Sequence, residues 1–151
     1  MNKADIINLV NAGVPGITNL TLDGKHAYKV LKFRRALLAA YQPTGDEYGA
    51  IRKEAGIEDP QAFDKERNEL HTLSSRTADQ EARLAELDKT FARFKELEHE
   101  LLTEEVKLDC VPMPYEDFHA LQKENEKTCP ALAHGYVEDV LEGVLWTAPE
   151  D

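Results

Sequence analysis

A run of basic residues near the start of the chain has the types and spacing of an anion site. Lys25, Lys29 and Lys32 are separated by four and three residues, so a helix would place them on one face, and Arg35 follows them. The first turn of a helix attracts anions because its free N–H groups and its dipole point there. With Tyr28 available for stacking, this run predicts a site for a phosphate, a nucleotide or an acidic partner.

The same run also fits a second interpretation, in which it binds nothing outside the chain. A row of lysines can be a solvated helix face, or acids from another helix can neutralise it. The acids near the predicted end of the long helix described below are Glu96, Glu98, Glu100, Glu104 and Glu105. The sequence leaves both interpretations open.

Residue types that bind zinc occur in the C-terminal part of the chain, at Cys110, His119, Cys129 and His134. They lack the short Cys-x-x-Cys or His-x-x-x-His spacing that zinc sites use. We therefore expect no metal, and we expect Cys110 to be a core residue on the apolar face of a strand. Two cysteines make no disulfide framework, which favours a reducing compartment.

Motifs that carry catalysis are missing from the sequence. It has no glycine-rich dinucleotide motif, P-loop, nucleophile elbow or His-Glu-x-x-His motif. Adjacent acids such as Glu104 and Glu105 point in different directions on a helix, so they do not form a catalytic pair. We therefore expect a protein that is not an enzyme, with no catalytic residues and no cofactor.

The charge balance of the chain is acidic. Its 151 residues include 18 Lys and Arg and 29 Asp and Glu, a formal net charge of −11. This balance argues against non-specific nucleic-acid binding. The acids that follow Asp109 could dock on a basic partner or mimic nucleic acid, and they also favour solubility.

No apolar run approaches the roughly 20 residues of a membrane span, and the first 20 residues lack a secretory signal, so we expect no membrane partner and no secretion.

Local signals predict helices in the first third of the chain. Residues 4–12 form a short helix between an N-cap at Asn2 and a stop at Gly13. Asp23 is the expected N-cap of a longer helix over 25–41, whose apolar residues recur with the helical period. The sequence then predicts a further helical stretch over 46–55, after a break at Pro43.

A long helix is predicted next, with Asp59 as its N-cap and Pro60 in its first turn. Residues 61–105 contain no proline or glycine and carry apolar residues at heptad spacing, strongly in the second half. The candidate interface residues in that half are Leu84, Leu87, Phe91 and Phe94. Between 71 and 77 the helix either continues or stops, with Ser75 or Thr77 beginning a new one.

These elements predict a mainly α fold and a single domain over residues 1–151. Strands at 17–22 and 106–111 would pair as a two-stranded antiparallel β-ribbon, in a small base with short terminal helices (1–23 and 106–151). Residues 24–105 would run out and back as a long antiparallel helical hairpin that resembles a coiled coil. Such a hairpin presents surface to a protein partner or to a second copy of the chain, and Trp146 is a candidate interface anchor in the base.

A structural ion pair would test this arrangement. Arg34 lies within the apolar stripe of the helix over 25–41, and Glu98 takes a core position of the long helix. Antiparallel pairing at the base would bring Arg34 within about one helical turn of Glu98. We predict that they pair and fix the register of the hairpin, the alternative being that Arg34 reaches solvent over its apolar neighbours.

Three segments resemble a group of small, mostly uncharacterised phage and prophage proteins. They are Ile6-Ile-Asn-Leu-Val-Asn11, Gly24-Lys-His-Ala-Tyr-Lys-Val-Leu-Lys32 and Glu100-Leu-Leu-Thr-Glu-Glu-Val-Lys-Leu-Asp109. The order of elements is similar too, although the middle of this chain is longer and its tail carries cysteines and prolines. The resemblance implies a phage or prophage origin and a location in the host cytoplasm or the virion, and it implies no catalytic residues.

Two functions follow as expectations. The first is a non-enzymatic protein that binds another protein, either as a small virion or assembly component or as an adaptor acting on a host factor. The second is a module that sequesters an anion or a nucleotide at the basic run beginning at Lys25. A nucleic-acid mimic, using the acids of the tail, is a third and more distant possibility.

Overall fold

The structure is a computed structural model that describes residues 1–11, 16–22 and 24–149. Its α-helices are α1 (Lys3–Val10), α2 (Ala27–Tyr41), α3 (Thr44–Ala55), α4 (Pro60–Thr72), α5 (Ala78–Thr103), α6 (Tyr115–Glu124) and α7 (Gly135–Leu141). Two 3-10 turns, Ile17–Asn19 and Pro130–Ala133, and two short strands, β1 (Met113–Pro114) and β2 (Trp146–Thr147), complete the described elements. The prediction of a mainly helical chain is confirmed.

The chain divides into two compact units. Unit 1 comprises the described residues of Met1–Pro43 and Thr103–Asp151, and unit 2 comprises Thr44–Leu102. Unit 1 contains both ends of the chain together with α2, whereas unit 2 contains α3, α4 and nearly all of α5.

The first helix begins where the sequence predicts. The side chain of Asn2 accepts a hydrogen bond from the Asp5 backbone N–H at 2.9 Å, and the Asp5 carboxylate accepts one from the Asn2 N–H at 2.9 Å. This reciprocal capping box satisfies two N–H groups that the first turn cannot pair by itself. The expected stop at Gly13 and the expected N-cap at Asp23 lie outside the described residues.

Unit 1 is built around one apolar core. Helices α1, α2, α6 and α7 each contribute side chains to it, and so do the two 3-10 turns and the strand β1. The fully or almost fully buried members are Ile6, Leu9, Ile17, Leu20, Val30, Phe33, Leu37, Met113, Phe118, Leu121, Cys129, Leu132, Val137, Leu141 and Leu145. Because α2 buries Val30, Phe33 and Leu37 here, its apolar face belongs to unit 1.

The predicted antiparallel ribbon is wrong. The two described strands are β1 and β2, which pair in parallel, with Met113 opposite Trp146 and Pro114 opposite Thr147. Residues 106–111 form no strand, and the segment predicted as the other strand begins with the 3-10 turn Ile17–Asn19. An antiparallel contact does exist in unit 1, but it is an isolated bridge between Asn2 and Glu105.

Side chains explain why residues 17–22 need no strand partner. The Arg34 guanidinium donates to the Thr18 carbonyl at 2.6 Å and to the Leu20 carbonyl at 3.3 Å. The amide oxygen of the fully buried Asn125 accepts from the Thr21 N–H at 2.8 Å. These groups satisfy the backbone polar atoms that a ladder of hydrogen bonds would otherwise pair.

The predicted long helical hairpin is also wrong, because the chain reverses inside its predicted second arm, where ion pairs join α4 to α5. Helix α4 ends at Thr72 and α5 begins at Ala78. Thr77 caps α5: its hydroxyl accepts from the Gln80 N–H at 3.2 Å, while the Gln80 side chain accepts from the Thr77 N–H at 2.9 Å. The sequence left this break open and named Thr77 as one of two caps. The start of α4 is confirmed, with Asp59 as its N-cap.

Candidate binding surfaces

The three lysines of the basic run each contact the segment 109–117 of the same unit. Lys25 Nζ lies 3.7 Å from Asp117 Oδ2, Lys29 donates to the Pro112 carbonyl at 3.0 Å, and Lys32 Nζ lies 3.2 Å from Asp109 Oδ1. One interpretation of this run was that acids of the same chain neutralise it. The acids that do so here are Asp109 and Asp117, and not the glutamates at the end of the long helix. Tyr28 and Arg35 remain exposed on α2.

Asp117 is the centre of a small polar cluster at the start of α2. Its carboxylate lies 2.6 Å from His26 Nε2, and this hydrogen bond, more than the nearby charge of Lys25, lowers the pKa of Asp117. A pocket of about 100 Å³ adjoins the cluster, with Glu124 also in its wall. The cluster joins α2 to α6, and its charged groups are already paired with one another.

Arg34 and Glu98 have partners inside their own units. In unit 1, Arg34 holds the carbonyls of Thr18 and Leu20, as described above. In unit 2, Glu98 accepts from Lys95 at 2.8 Å. Burial and the neighbouring Glu98 raise the pKa of Tyr48, which also bonds to that carboxylate. The ion pair between Arg34 and Glu98 stays a prediction.

The cysteines and histidines of the tail show no shared site. Among residues 1–11, 16–22 and 24–149, no three His, Cys, Asp or Glu side chains come together as a metal site. Cys129 is a buried core residue, and Cys110 is half-buried. Burial raises the pKa of both thiols, which keeps them protonated and weakly nucleophilic.

Trp146, a candidate interface anchor, packs inside unit 1. Its ring stacks on Phe118 with a centroid distance of 5.8 Å and meets the edge of Tyr115 at 4.9 Å. Its indole N–H donates to the Glu138 carbonyl at 2.9 Å. Both the apolar body and the polar tip of this partly buried side chain therefore have partners within unit 1.

In unit 2, ion pairs join α4 to α5. Arg67 Nε donates to Asp88 Oδ1 at 2.8 Å, and His71 Nε2 lies 3.0 Å from the same oxygen. The hydrogen bond from Arg67, followed by that from His71, lowers the pKa of Asp88. The Arg67 guanidinium also lies over the Phe91 ring, 4.0 Å from its centroid, so it packs as well as pairs.

A second connection between the same helices is bidentate. Arg83 donates from Nε to Glu66 Oε1 at 2.7 Å and from Nη2 to Glu66 Oε2 at 3.0 Å. It also donates to Glu86 at 3.2 Å within α5. The hydrogen bonds from Arg83 lower the pKa of Glu66, and those to Glu66 and Glu86 raise the pKa of Arg83.

The candidate interface residues of α5 are buried to different degrees. Leu84 and Leu87 are buried, whereas Phe91 and Phe94 are half-buried. The Lys95 ammonium lies 5.5 Å from the Phe91 centroid and 5.9 Å from that of Phe94. The heptad pattern thus includes two buried leucines and two phenylalanines that remain partly exposed.

A groove between α4 and α5 is the surface that the sequence did not single out. It has a volume of about 450 Å³ and is lined by Glu66, Glu69, Leu70, Leu73, Asp79, Gln80 and Arg83. Leu73 is 41% exposed and Leu70 is half-buried, although both occupy heptad positions. Heptad spacing predicts which apolar residues share a helix face, but it does not show which of them a neighbouring helix leaves exposed. We call this the α4–α5 groove.

Comparison of the chain with protein-family models, curated proteins and solved structures finds no match. The resemblance to phage proteins therefore stays a prediction. Within the described residues, none of the helices combines the length and the apolar character needed to cross a membrane.

Proposed function

We propose that this chain is a non-enzymatic, phage-type protein that acts by binding another protein, with the α4–α5 groove as the contact surface. The observation that carries the proposal is Leu73, which is 41% exposed beside the half-buried Leu70 in the wall of the groove. Removal of apolar surface from water is the dominant favourable term in most protein–protein association.

The other candidate residues already make contacts within the chain, which supports the choice of the groove. Lys25, Lys29 and Lys32 contact segment 109–117, which leaves less of their charge for an external anion. Trp146 is packed and hydrogen-bonded within unit 1. The groove residues Leu70 and Leu73 differ from these, because a partner would cover apolar surface that the unit itself leaves accessible. The phage part of the proposal rests on the three resembling segments.

Native mass spectrometry of the tagged protein, purified from the cells that make it, tests the proposal. We expect a second protein at fixed stoichiometry, which is then identified, purified and recombined to measure its Kd. Leu73→Ser should weaken this complex by at least about tenfold, because it removes an exposed apolar contact without disturbing a buried one. The matched control is Tyr28→Ser, which alters the 71% exposed Tyr28 of unit 1 and should leave the Kd unchanged.

Three outcomes separate the alternatives. A complex that survives Leu73→Ser overturns the assignment of the groove. A homo-oligomer that dissociates on Leu73→Ser supports it and identifies a second copy as the partner. A bound mass of a few hundred daltons that disappears on Lys29→Glu, with no protein partner, overturns the proposal in favour of anion capture.

A further inference from the structure

We infer that the α4–α5 groove receives a cationic amphipathic helix of the partner, with leucine-like side chains on one face and Lys or Arg beside them. The inference rests on the proposed function, because it concerns the same groove, and it adds the chemistry of the partner. Two properties of the groove carry it, namely the two apolar residues in its lining and the sign of its charge.

The apolar part of the groove matches the face of a helix. Leu70 lies in the last turn of α4, Leu73 is the extended residue that ends this helix, and both residues line the groove. A partner helix that places apolar residues at helical spacing can set them against this pair, as amphipathic helices do in grooves. The volume of about 450 Å³ accommodates side chains of that size and is small for a folded surface.

The charged part of the groove is negative. Its lining contains three carboxylates, Glu66, Glu69 and Asp79, against the single guanidinium of Arg83, which leaves two negative charges. Glu66 and Arg83 neutralise each other through their two hydrogen bonds. The uncompensated charge therefore belongs mainly to Glu69 and Asp79.

Neither of these two acids is strongly engaged. Glu69 has Lys65 at 4.0 Å, which is the outer limit of an ion pair, and both side chains are mostly exposed. Within the described part of the chain, Asp79 has no side-chain hydrogen bond or ion pair. Lys or Arg of a partner would therefore find one weakly paired carboxylate, Glu69, and one without a described partner, Asp79, whereas an acidic partner would be repelled. The net charge of −11 on the whole chain adds long-range attraction for a cationic segment.

A pair of synthetic helical peptides tests the inference directly. The first carries leucines at helical spacing flanked by lysines, and its twin carries glutamates in place of the lysines. Titration of the full-length, isotope-labelled protein should give amide chemical-shift changes concentrated between Glu66 and Arg83, with the cationic peptide binding at least about tenfold more tightly than its twin. Added salt should weaken the cationic peptide, because the charges that attract it are exposed.

Matched variants distinguish the groove from the general acidity of the chain. Glu69→Lys should weaken the cationic peptide by about tenfold, and Asp79→Asn should weaken it less, because it removes a charge without reversing it. The control is Asp64→Lys, the same charge change on α4 at an exposed position about 140° around the helix from Glu69. It should leave the Kd nearly unchanged.

Several results would overturn the inference. These are no binding of the cationic peptide, equal binding of the two peptides, or equal weakening by Glu69→Lys and Asp64→Lys. Each of them leaves the proposed function standing if the native complex is still lost on Leu73→Ser. Conversely, a native complex that survives Leu73→Ser overturns the proposed function whatever the peptides do.

Discussion

Unit 1 and unit 2 both consist largely of helices, but different forces hold those helices together. In unit 1, side chains from four helices meet in one continuous apolar core. In unit 2, α4 has no buried residue, and its described links to α5 include two groups of exposed or half-exposed ion pairs. Apolar burial contributes strongly to stability, whereas exposed ion pairs contribute little. We therefore expect unit 1 to be the stable part of the chain and α4 to be an easily opened element.

The largest expected effect comes from emptying the core of unit 1. Phe33→Ala removes a fully buried ring of α2 and should lower the free energy of unfolding by about 3–5 kcal/mol. Urea unfolding followed by Trp146 fluorescence measures it, since Trp146 lies in the same unit. The control Tyr28→Ala, on the exposed side of α2, should change it by no more than about 0.5 kcal/mol.

A matching substitution on α4 tests whether the two units differ in their dependence on apolar burial. Phe63 is half-buried on α4, so Phe63→Ala should cost only about 1 kcal/mol, seen as faster amide exchange within unit 2. A loss as large as that of Phe33→Ala would show that α4 has a core of its own.

A close backbone contact in unit 1 gives the next effect. Gly16 has a φ of +86°, and a Cβ added there would lie 2.0 Å from the Thr128 carbonyl oxygen. Because backbone cannot yield easily, Gly16→Ala should cost about 3 kcal/mol or more from strain and overlap together. Gly24 has a similar φ of +88° but open space around it, so Gly24→Ala should cost only about 1–2 kcal/mol. Equal losses in urea unfolding would contradict the role of Thr128.

A buried amide in unit 1 gives a smaller effect. Asn125 is fully buried, and its side-chain oxygen accepts from both the N–H and the hydroxyl of Thr21. Asn125→Ala leaves these donors without that partner and should cost about 1–3 kcal/mol in urea unfolding. Asn68→Ala, at an exposed position of α4, is the control and should cost less than about 0.5 kcal/mol.

Asn125 also shows which parts of the fold could not be predicted from the sequence. The caps at Asn2, Asp59 and Thr77 are local signals, because each side chain bonds to backbone within three residues. The backbone of residues 17–22 is instead satisfied by Arg34 and by Asn125, which lies 104 residues from Thr21 in the chain. Alternating apolar residues suggested a strand there, but periodicity cannot reveal such distant side-chain partners.

The candidate site was predictable only in part, for a related reason. The sequence placed the whole basic run on one helix, but α2 begins at Ala27, so Lys25 precedes it. The partners of the run, Asp109 and Asp117, become its neighbours only through the tertiary fold. Leu70 and Leu73 belong to the apolar residues at heptad spacing within 61–105. Their exposure depends on where α4 stops and α5 begins, which the sequence left open.

Salt should affect the two units differently, since it screens the exposed ion pairs that link α4 to α5 in unit 2. Raising ionic strength from about 0.01 M to about 1 M shortens the Debye length from roughly 30 Å to 3 Å. Amide protection in α4 should therefore fall, while that in α2 and α6 of unit 1 stays nearly constant. Arg83→Gln should reproduce the loss at low salt, because it removes the bidentate bond to Glu66. Unchanged protection of α4 in both tests would mean that ion pairs do not hold it.

Lowering the pH should weaken the ion pairs between α4 and α5, as the lowered pKa of Asp88 predicts. Arg67 and His71 lower that pKa in the folded chain, so the folded state favours the ionised carboxylate. Its stabilising contribution is complete above the unfolded pKa of about 3.9 and disappears as pH falls through the lower folded value. Amide exchange, corrected for its intrinsic pH dependence, should show α4 opening more often across that range.

The variant Asp88→Asn isolates this carboxylate from the other acids. It should raise the opening of α4 at neutral pH and flatten its acid dependence, because the group that titrates is gone. The remaining dependence includes that of Glu66, whose pKa is lowered by Arg83. Asp64→Asn is the control, because Asp64 is exposed on α4 and has no side-chain partner among the residues described. If Asp88→Asn and Asp64→Asn give the same acid profile, the link from Arg67 and His71 to Asp88 does not stabilise α4.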